Sequence, residues 1–271
     1  MKKFNIIKIL LTLLLITNAL QAAAQDNLPA PKVKNIEVPQ KVLFVGNSFS
    51  YFNNGIANHF SNLVRAAGHW KNGQTRSRLK TISGGKLAEH IAGVDSLLSQ
   101  SAKSQWDVVI LQEYSNGPIS KTHRDSFKQA STSLAKMIRQ YGATPVFFMT
   151  WAYKGDEGMT QELAQAYVEQ GNALNMLVVP VGLAFQNVVA QLPELDLYSK
   201  DVQGFDSQGQ TQYRQVEKHP SMAGTYLAAC VFYAALYHQS PQGLAYTAGL
   251  SDKVAANLQK VAWQTVQSFY R

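Results

Sequence analysis

Short apolar runs alternate with longer stretches of helical spacing, and this alternation constrains the fold more than any other feature of the chain. The runs fall at 42–45, 79–82, 107–111, 145–150 and 176–181. Apart from 79–82, where Lys80 and Thr81 intervene, they are rich in Val, Ile, Leu and Phe and lack a polar residue at every second place, as expected of strands buried on both faces. Between them Ile56, Phe60, Leu63 and Val64, and then Leu87, Ile91, Val94 and Leu98, recur at the period of a helix with one apolar side. Further helices are expected at 124–140, 157–174, 221–238 and 250–270. Strands separated by helices predict an α/β fold, a five-stranded parallel sheet with helices on both faces. Residues 193–218 interrupt the pattern with a polar stretch holding Pro193, Gly204 and Gly209. It is long for a connection, and long loops in compact domains often carry function.

The first residues have a different character. Met1-Lys2-Lys3, an apolar segment from Ile6 to Leu20 and the small residues Ala22-Ala23-Ala24 have the pattern of a secretory signal peptide over 1–24. The expectation is a secreted or periplasmic protein with no stable membrane insertion after cleavage. No cysteine follows the small residues, which argues against a lipid anchor. Residues 25–40, with Pro31 and Pro39, are expected to be a linker or extended arm, and 41–271 a single domain. Removing the leader takes away Lys2, Lys3 and Lys8 and no acid, so the formal charge of +8 becomes +5. There is no basic tract with interleaved aromatics to suggest a nucleic-acid partner. Cys230 is the only cysteine, so it forms no internal disulfide, and its apolar surroundings predict a small buried hydrophobe.

The ends of the strands hold the chemistry. Gly46-Asn47-Ser48 follows the first run, and Gly and Asn both tolerate a sharp turn. A serine there stands at the carboxyl end of a strand, where ligands of open α/β sheets bind; read alone, it also serves as a helix cap. Ser83-Gly84-Gly85 follows the second run and Gln112-Glu113-Tyr114-Ser115-Asn116 the third. His219-Pro220-Ser221 precedes the penultimate helix.

In order and spacing, these four blocks resemble the SGNH, or GDSL-type, hydrolases, in particular a divergent branch with Gly-Asn-Ser and Leu-Gln-Glu, here Gly46–Ser48 and Leu111–Glu113. The resemblance runs from Val42 to about Tyr237. It implies a three-layer α/β/α sandwich of flavodoxin-like form and a serine esterase that needs no cofactor. The favoured substrate is an acetyl ester, possibly on carbohydrate. Ser48 would be the nucleophile and His219 its base, since a serine hydroxyl needs an imidazole to attack at neutral pH. The backbone N–H groups of Ser48 and Gly84 would stabilise the oxyanion. The family's third donor is an asparagine side chain after strand three, but Tyr114 falls near its place. Gln112 is the favoured substitute and Asn116 the alternative. Asn47, Glu113, Tyr114, Trp151 and Tyr153 are the expected substrate contacts.

The acid that orients the histidine departs most from the family. Its usual position, three residues earlier, is Val216, which accepts no hydrogen bond. Glu217 is the first candidate, because residues two apart in an extended segment share a face. Asp201 is the alternative: 197–201 resembles the stretch that normally leads into the histidine, with the intervening residues as an insertion that loops out and returns. Other chemistries have less support. No HxH or HExxH spacing suggests a zinc site, no phosphate loop is present, and Glu113 has no second carboxylate at a matching strand end to make a glycosidase pair. A non-catalytic glycan- or ligand-binding protein and a lipid or thioester hydrolase are the alternative functions. An exposed apolar flap from 193–218 would favour the lipid reading, and the polar composition of that stretch counts against it.

Overall fold

The computed structural model describes residues 28–100 and 105–271; the expected leader, 1–24, lies outside them. Strands β1 (Lys41–Gly46), β2 (Arg76–Thr81), β3 (Val108–Leu111), β4 (Thr144–Phe148) and β5 (Leu177–Val179) form one sheet. Their order is β2-β1-β3-β4-β5, and every pairing is parallel. The chain leaves β1 to one side to make β2 and returns on the other to make β3. The carboxyl ends of β1 and β3 therefore flank a switch point, where an open sheet leaves a crevice.

Successive side chains of each strand enter different cores. Val42, Phe44, Val108, Ile110, Val146 and Phe148 pack into one, and Leu43, Val45, Val109, Leu111 and Phe147 into the other. The first is covered chiefly by α2 (Ile56–Ala66), α6 (Val181–Gln191), α7 (Met222–Tyr237) and α8 (Asp252–Phe269). The second is covered by α3 (Leu87–Leu98), α4 (Arg124–Gln140) and α5 (Glu157–Leu174). The result is the three-layer α/β/α arrangement expected from the alternation. Helix α7 is buried along its whole length after Met222, so it lacks an amphipathic pattern. Cys230 lies within it, fully buried, and burial pushes its thiol far above the usual range. It is the inert hydrophobe expected. Among the described residues no helix is long and apolar enough to cross a membrane.

Some boundaries differ from expectation. Strand β2 begins at Arg76 instead of Leu79, and the run through Val181 divides into the short β5 and the unforeseen α6. On β2 the Arg76 guanidinium lies 4.3 Å over the Trp106 ring, and Lys80 packs against Gly93. The described part of the arm is tied down. Lys32 N donates to Asn172 Oδ1 at 2.7 Å, and the Tyr237 hydroxyl to Pro39 O at 3.1 Å.

Residues 193–218 are structured. Strand β6 (Tyr198–Ser199) pairs antiparallel with β9 (His219–Pro220), with Ser199 opposite His219. Between them β7 (Val202–Phe205) and β8 (Thr211–Tyr213) form a separate hairpin.

Candidate active site

A single helical turn, α1 (Ser48–Tyr51), starts at Ser48 directly after β1. A hydrogen-bonded web beneath the turn fixes it. Gln112, at the end of β3, accepts from Asn47 N at 2.9 Å and from Ser50 Oγ at 3.0 Å through its Oε1, while its Nε2 donates to Asn47 Oδ1 at 2.9 Å. Asn47 Nδ2 in turn donates to Gly85 O at 2.9 Å, and its Oδ1 accepts from Phe49 N. This web needs Gly46 to be glycine, because a Cβ there would lie 2.3 Å from Gln112 Oε1 and 2.9 Å from Gln112 Cβ. Two favoured roles change as a result. Gln112 is 0% exposed and its amide is engaged from within, so it is no oxyanion donor but the brace of the turn. The Asn47 side chain is likewise engaged within the turn, while Asn47 itself lines the cleft.

Ser48 Oγ lies 2.8 Å from His219 Nε2, and His219 Nδ1 lies 2.6 Å from the carboxylate of Asp201. Ionised Asp201 only accepts, which places the imidazole proton on Nδ1 and leaves Nε2 to accept from the serine hydroxyl. The Phe52 ring stacks on the imidazole with centroids 4.1 Å apart and planes 3° from parallel, and Phe49 meets it edge-on. Asn53, at φ 51°, donates from Nδ2 to Pro220 O at 2.8 Å and to Thr225 Oγ1 at 2.9 Å. The serine loop and the histidine segment are thus fastened to each other.

The carboxylate beside His219 is that of Asp201, not of Glu217. The Glu217 carboxylate accepts from Lys154 Nζ at 2.7 Å, and that ammonium also holds Asp196. The extended segment expected to bring 217 and 219 to one face is only two residues long and begins at His219. Asp201 comes into place although it lies eighteen positions before His219. The β6–β9 pairing sets its approach, and a bond from Arg214 N to Asp201 O at 2.9 Å closes the base of the hairpin.

The three residues stand in an open cleft of about 570 Å³, with Tyr51, Phe52, Ser83, Gly84, Tyr114, Lys200, Arg214 and Lys218 also on its walls. Gly84 takes φ +64°, a left-handed conformation that glycine adopts without cost. Tyr114 is a cleft residue as expected. Glu113 is not: it is 2% exposed, accepts from Tyr114 N at 2.7 Å and Leu87 N at 3.3 Å, and burial pushes its carboxyl up to about 7. Trp151 is fully buried between the stacked rings of Phe49 and Phe185, and its Nε1 donates to Lys218 O at 2.9 Å. It holds the histidine segment in place and has no face free for substrate. Tyr153 is off the cleft wall, bonded at 2.9 Å to Ser115 Oγ, and Asn116 lies in the next turn, also off the wall. Phe52 and Asn53 were not legible as site residues, since a lone aromatic or amide carries no spacing signal. Among the described residues no cluster of His, Cys, Asp and Glu is placed to hold a metal ion.

The architecture matches solved structures over most of its length. A protein of Slackia heliotrinireducens assigned to the SGNH hydrolases superposes with a TM-score of 0.53 at 23% identity, over 72% of this chain and 97% of that one. The chain has the SGNH-hydrolase fold. A DUF4886 family protein from Bacteroides uniformis matches with a TM-score of 0.61 at 19% identity, over 85% and 96% of the two chains. The acetyl xylan esterase AlAXEase matches with a TM-score of 0.53 at 12% identity, over 72% and 99%. No family model matches the sequence, and no curated protein is similar to it.

Proposed function

We propose that the protein is a serine esterase that removes a short acyl group, acetyl in the favoured case, from a hydroxyl-bearing substrate such as a carbohydrate. The observation that carries this is the unbroken relay Ser48–His219–Asp201 at the edge of an open cleft. Ser48 Oγ attacks the ester carbonyl while His219 Nε2 takes its proton, and Asp201 stabilises the imidazolium that forms. The imidazolium then protonates the departing alkoxide. In the second half, water attacks the acyl-enzyme, His219 takes the water's proton and returns it to Ser48 Oγ. The backbone N–H groups of Ser48 and Gly84 are the oxyanion donors in this reading. No side-chain amide joins them, since those of Gln112 and Asn47 are used within the turn. The mechanism requires no cofactor. The acetyl xylan esterase among the structural neighbours supports the acetyl preference.

Residues 202–216 favour a second reading, a larger acyl chain or lipid ester. Contrary to the polar composition, the hairpin exposes Val202 (55%), Phe205 (68%) and Tyr213 (49%). The bulge between Val202 and Gly204 puts Val202 and Phe205 on the same face, beside their partners Tyr213 and Thr211. Acyl-chain length separates the two readings: 4-nitrophenyl acetate turned over faster than the octanoate supports the first, and the reverse supports the second.

The test of the whole proposal is Ser48→Ala together with a serine-directed phosphonate. Wild type should hydrolyse 4-nitrophenyl acetate and take up one phosphonate, mapped to Ser48. Ser48→Ala should lose at least about a thousandfold in rate, with an unchanged melting temperature. Equal rates in the two proteins would leave a binding protein with an esterase fold.

A further inference from the structure

The charges around the cleft are unbalanced. Lys200, Arg214 and Lys218 lie on its walls, and the one carboxylate there, Asp201, is committed to His219. Among the described residues none of the three cations forms an ion pair. The nearby acids Asp196 and Glu217 are both taken by Lys154. Aromatic rings support two of the cations instead: Lys218 Nζ stands 5.2 Å from the Tyr114 ring and 5.7 Å from that of Tyr153, and Lys200 Nζ 5.6 Å from that of Tyr213. The backbone beneath Lys218 is held by the Trp151 bond to its carbonyl. Lys200 and Arg214 bracket the inserted hairpin, one at each of its feet. An isolated surface lysine is ordinarily just solvated. Three cations from separate points of the chain, converging on one concave wall against the single carboxylate of Asp201, leave a net positive potential beside the nucleophile.

We propose that the cleft selects esters whose alcohol part carries a negative charge, held by Arg214, Lys200 and Lys218 while the carbonyl lies at Ser48. This rests on the esterase reading for the position of the reacting bond. With the short acyl group of that reading, the charge belongs to the alcohol. Arg214 offers the planar fork that pairs with a carboxylate or sulfate, and the lysines act as point charges. The hairpin inserted between acid and base thereby contributes to substrate choice.

The test uses meta-acetoxybenzoate and meta-acetoxybenzamide, which release the same acetate from the same ring and differ in charge. Wild type should favour the benzoate in kcat/KM by on the order of tenfold or more at low salt. The preference should shrink near 1 M salt, where the screening length falls to about 3 Å. Arg214→Glu, and independently Lys200→Glu, should lower the benzoate-to-amide ratio by at least about tenfold. A ratio near one that ignores both salt and charge reversal overturns the proposal. Calorimetry on the Ser48→Ala protein separates the failure of this proposal from that of the esterase reading. If that protein binds the benzoate and not the amide while wild type hydrolyses neither, the anion site stands and the esterase reading falls. If it binds neither, or both alike, the anion site falls whatever the turnover. Meta-acetoxybenzenesulfonate in the same series distinguishes a carboxylate from a sulfate as the preferred group.

Discussion

An imidazole becomes a serine's general base when its other nitrogen is held by an acceptor that fixes the tautomer and stabilises the cation. Both oxygens of Asp201 lie within 2.6 Å of His219 Nδ1, whereas Glu217 spends its carboxylate on Lys154. Asp201→Asn should therefore lower kcat by about three to four orders of magnitude, as expected when the wrong tautomer is stabilised. Glu217→Gln loses one partly exposed ion pair and should stay within a few-fold of wild type. Initial rates on an acetyl ester in the two folded variants check this, and the opposite ranking would return the role to Glu217. Ser48 and His219 were legible from the order and spacing of the four blocks and the resemblance they carry. The acid was legible only as the alternative to Glu217, because an insertion separates it from the histidine, and sequence offset reports on geometry only within one continuous element.

The elements nearest the site are short, and their lengths explain what the sequence revealed of them. Helices α4 and α5 match their expected spans, 124–140 and 157–174, because each presents a repeating apolar stripe to the sheet. Helix α6 was hidden: its sequence VGLAFQNVVAQ is wholly buried from Val181 through Phe185, so its apolar residues continue the run of β5 without a change of period. The hairpin was hidden for the opposite reason, being largely exposed and lacking an apolar alternation to mark its strands. Gln112 was misjudged because a polar residue at a strand end looks alike whether it faces the cleft or the turn beneath. Gly46→Ala tests that brace. The added methyl would drive Gln112 out of place, and its Cβ has no rotamer by which to retreat. The expected cost is about 1–3 kcal/mol of stability, typical of an overpacked core, with a larger loss in turnover as Ser48 shifts against His219. Urea unfolding and kcat measured on the same sample give both numbers. A variant with wild-type values of each would show that the web does not hold the turn.

Taken as a whole, the domain buries titratable groups of opposite tendency close beneath the cleft. Burial raises the Glu113 carboxyl from 4.5 to about 7, opposed in part by the N–H groups of Tyr114 and Leu87 that favour the carboxylate. Burial also lowers the His90 imidazole to about 4 and moves His59 the same way. Folded Glu113 thus keeps a proton that the unfolded chain has released between pH 4.5 and 7. Its contribution is complete below 4.5, declines through that window and is gone above it. The histidines act in reverse: the unfolded chain binds protons that the folded one refuses, so stability is lost as pH falls from 6.5 towards 4. Between about pH 4.5 and 6.5 the Glu113 slope opposes that of the two histidines and offsets only part of it, so the wild-type curve should rise there less steeply than the histidines alone would make it. Glu113→Gln removes one side of the balance. The amide can still accept from Tyr114 N but not from both backbone donors, which sets a fixed cost independent of pH. Relative to wild type, the variant should gain stability steadily as pH rises from 4.5 to 7, by on the order of 3 kcal/mol in all. Its own curve should then show the histidine slope unmasked, rising from about pH 4 to 6.5. Urea midpoints across this range decide the matter: a difference between the two proteins that does not change with pH would mean Glu113 is ionised in the fold throughout.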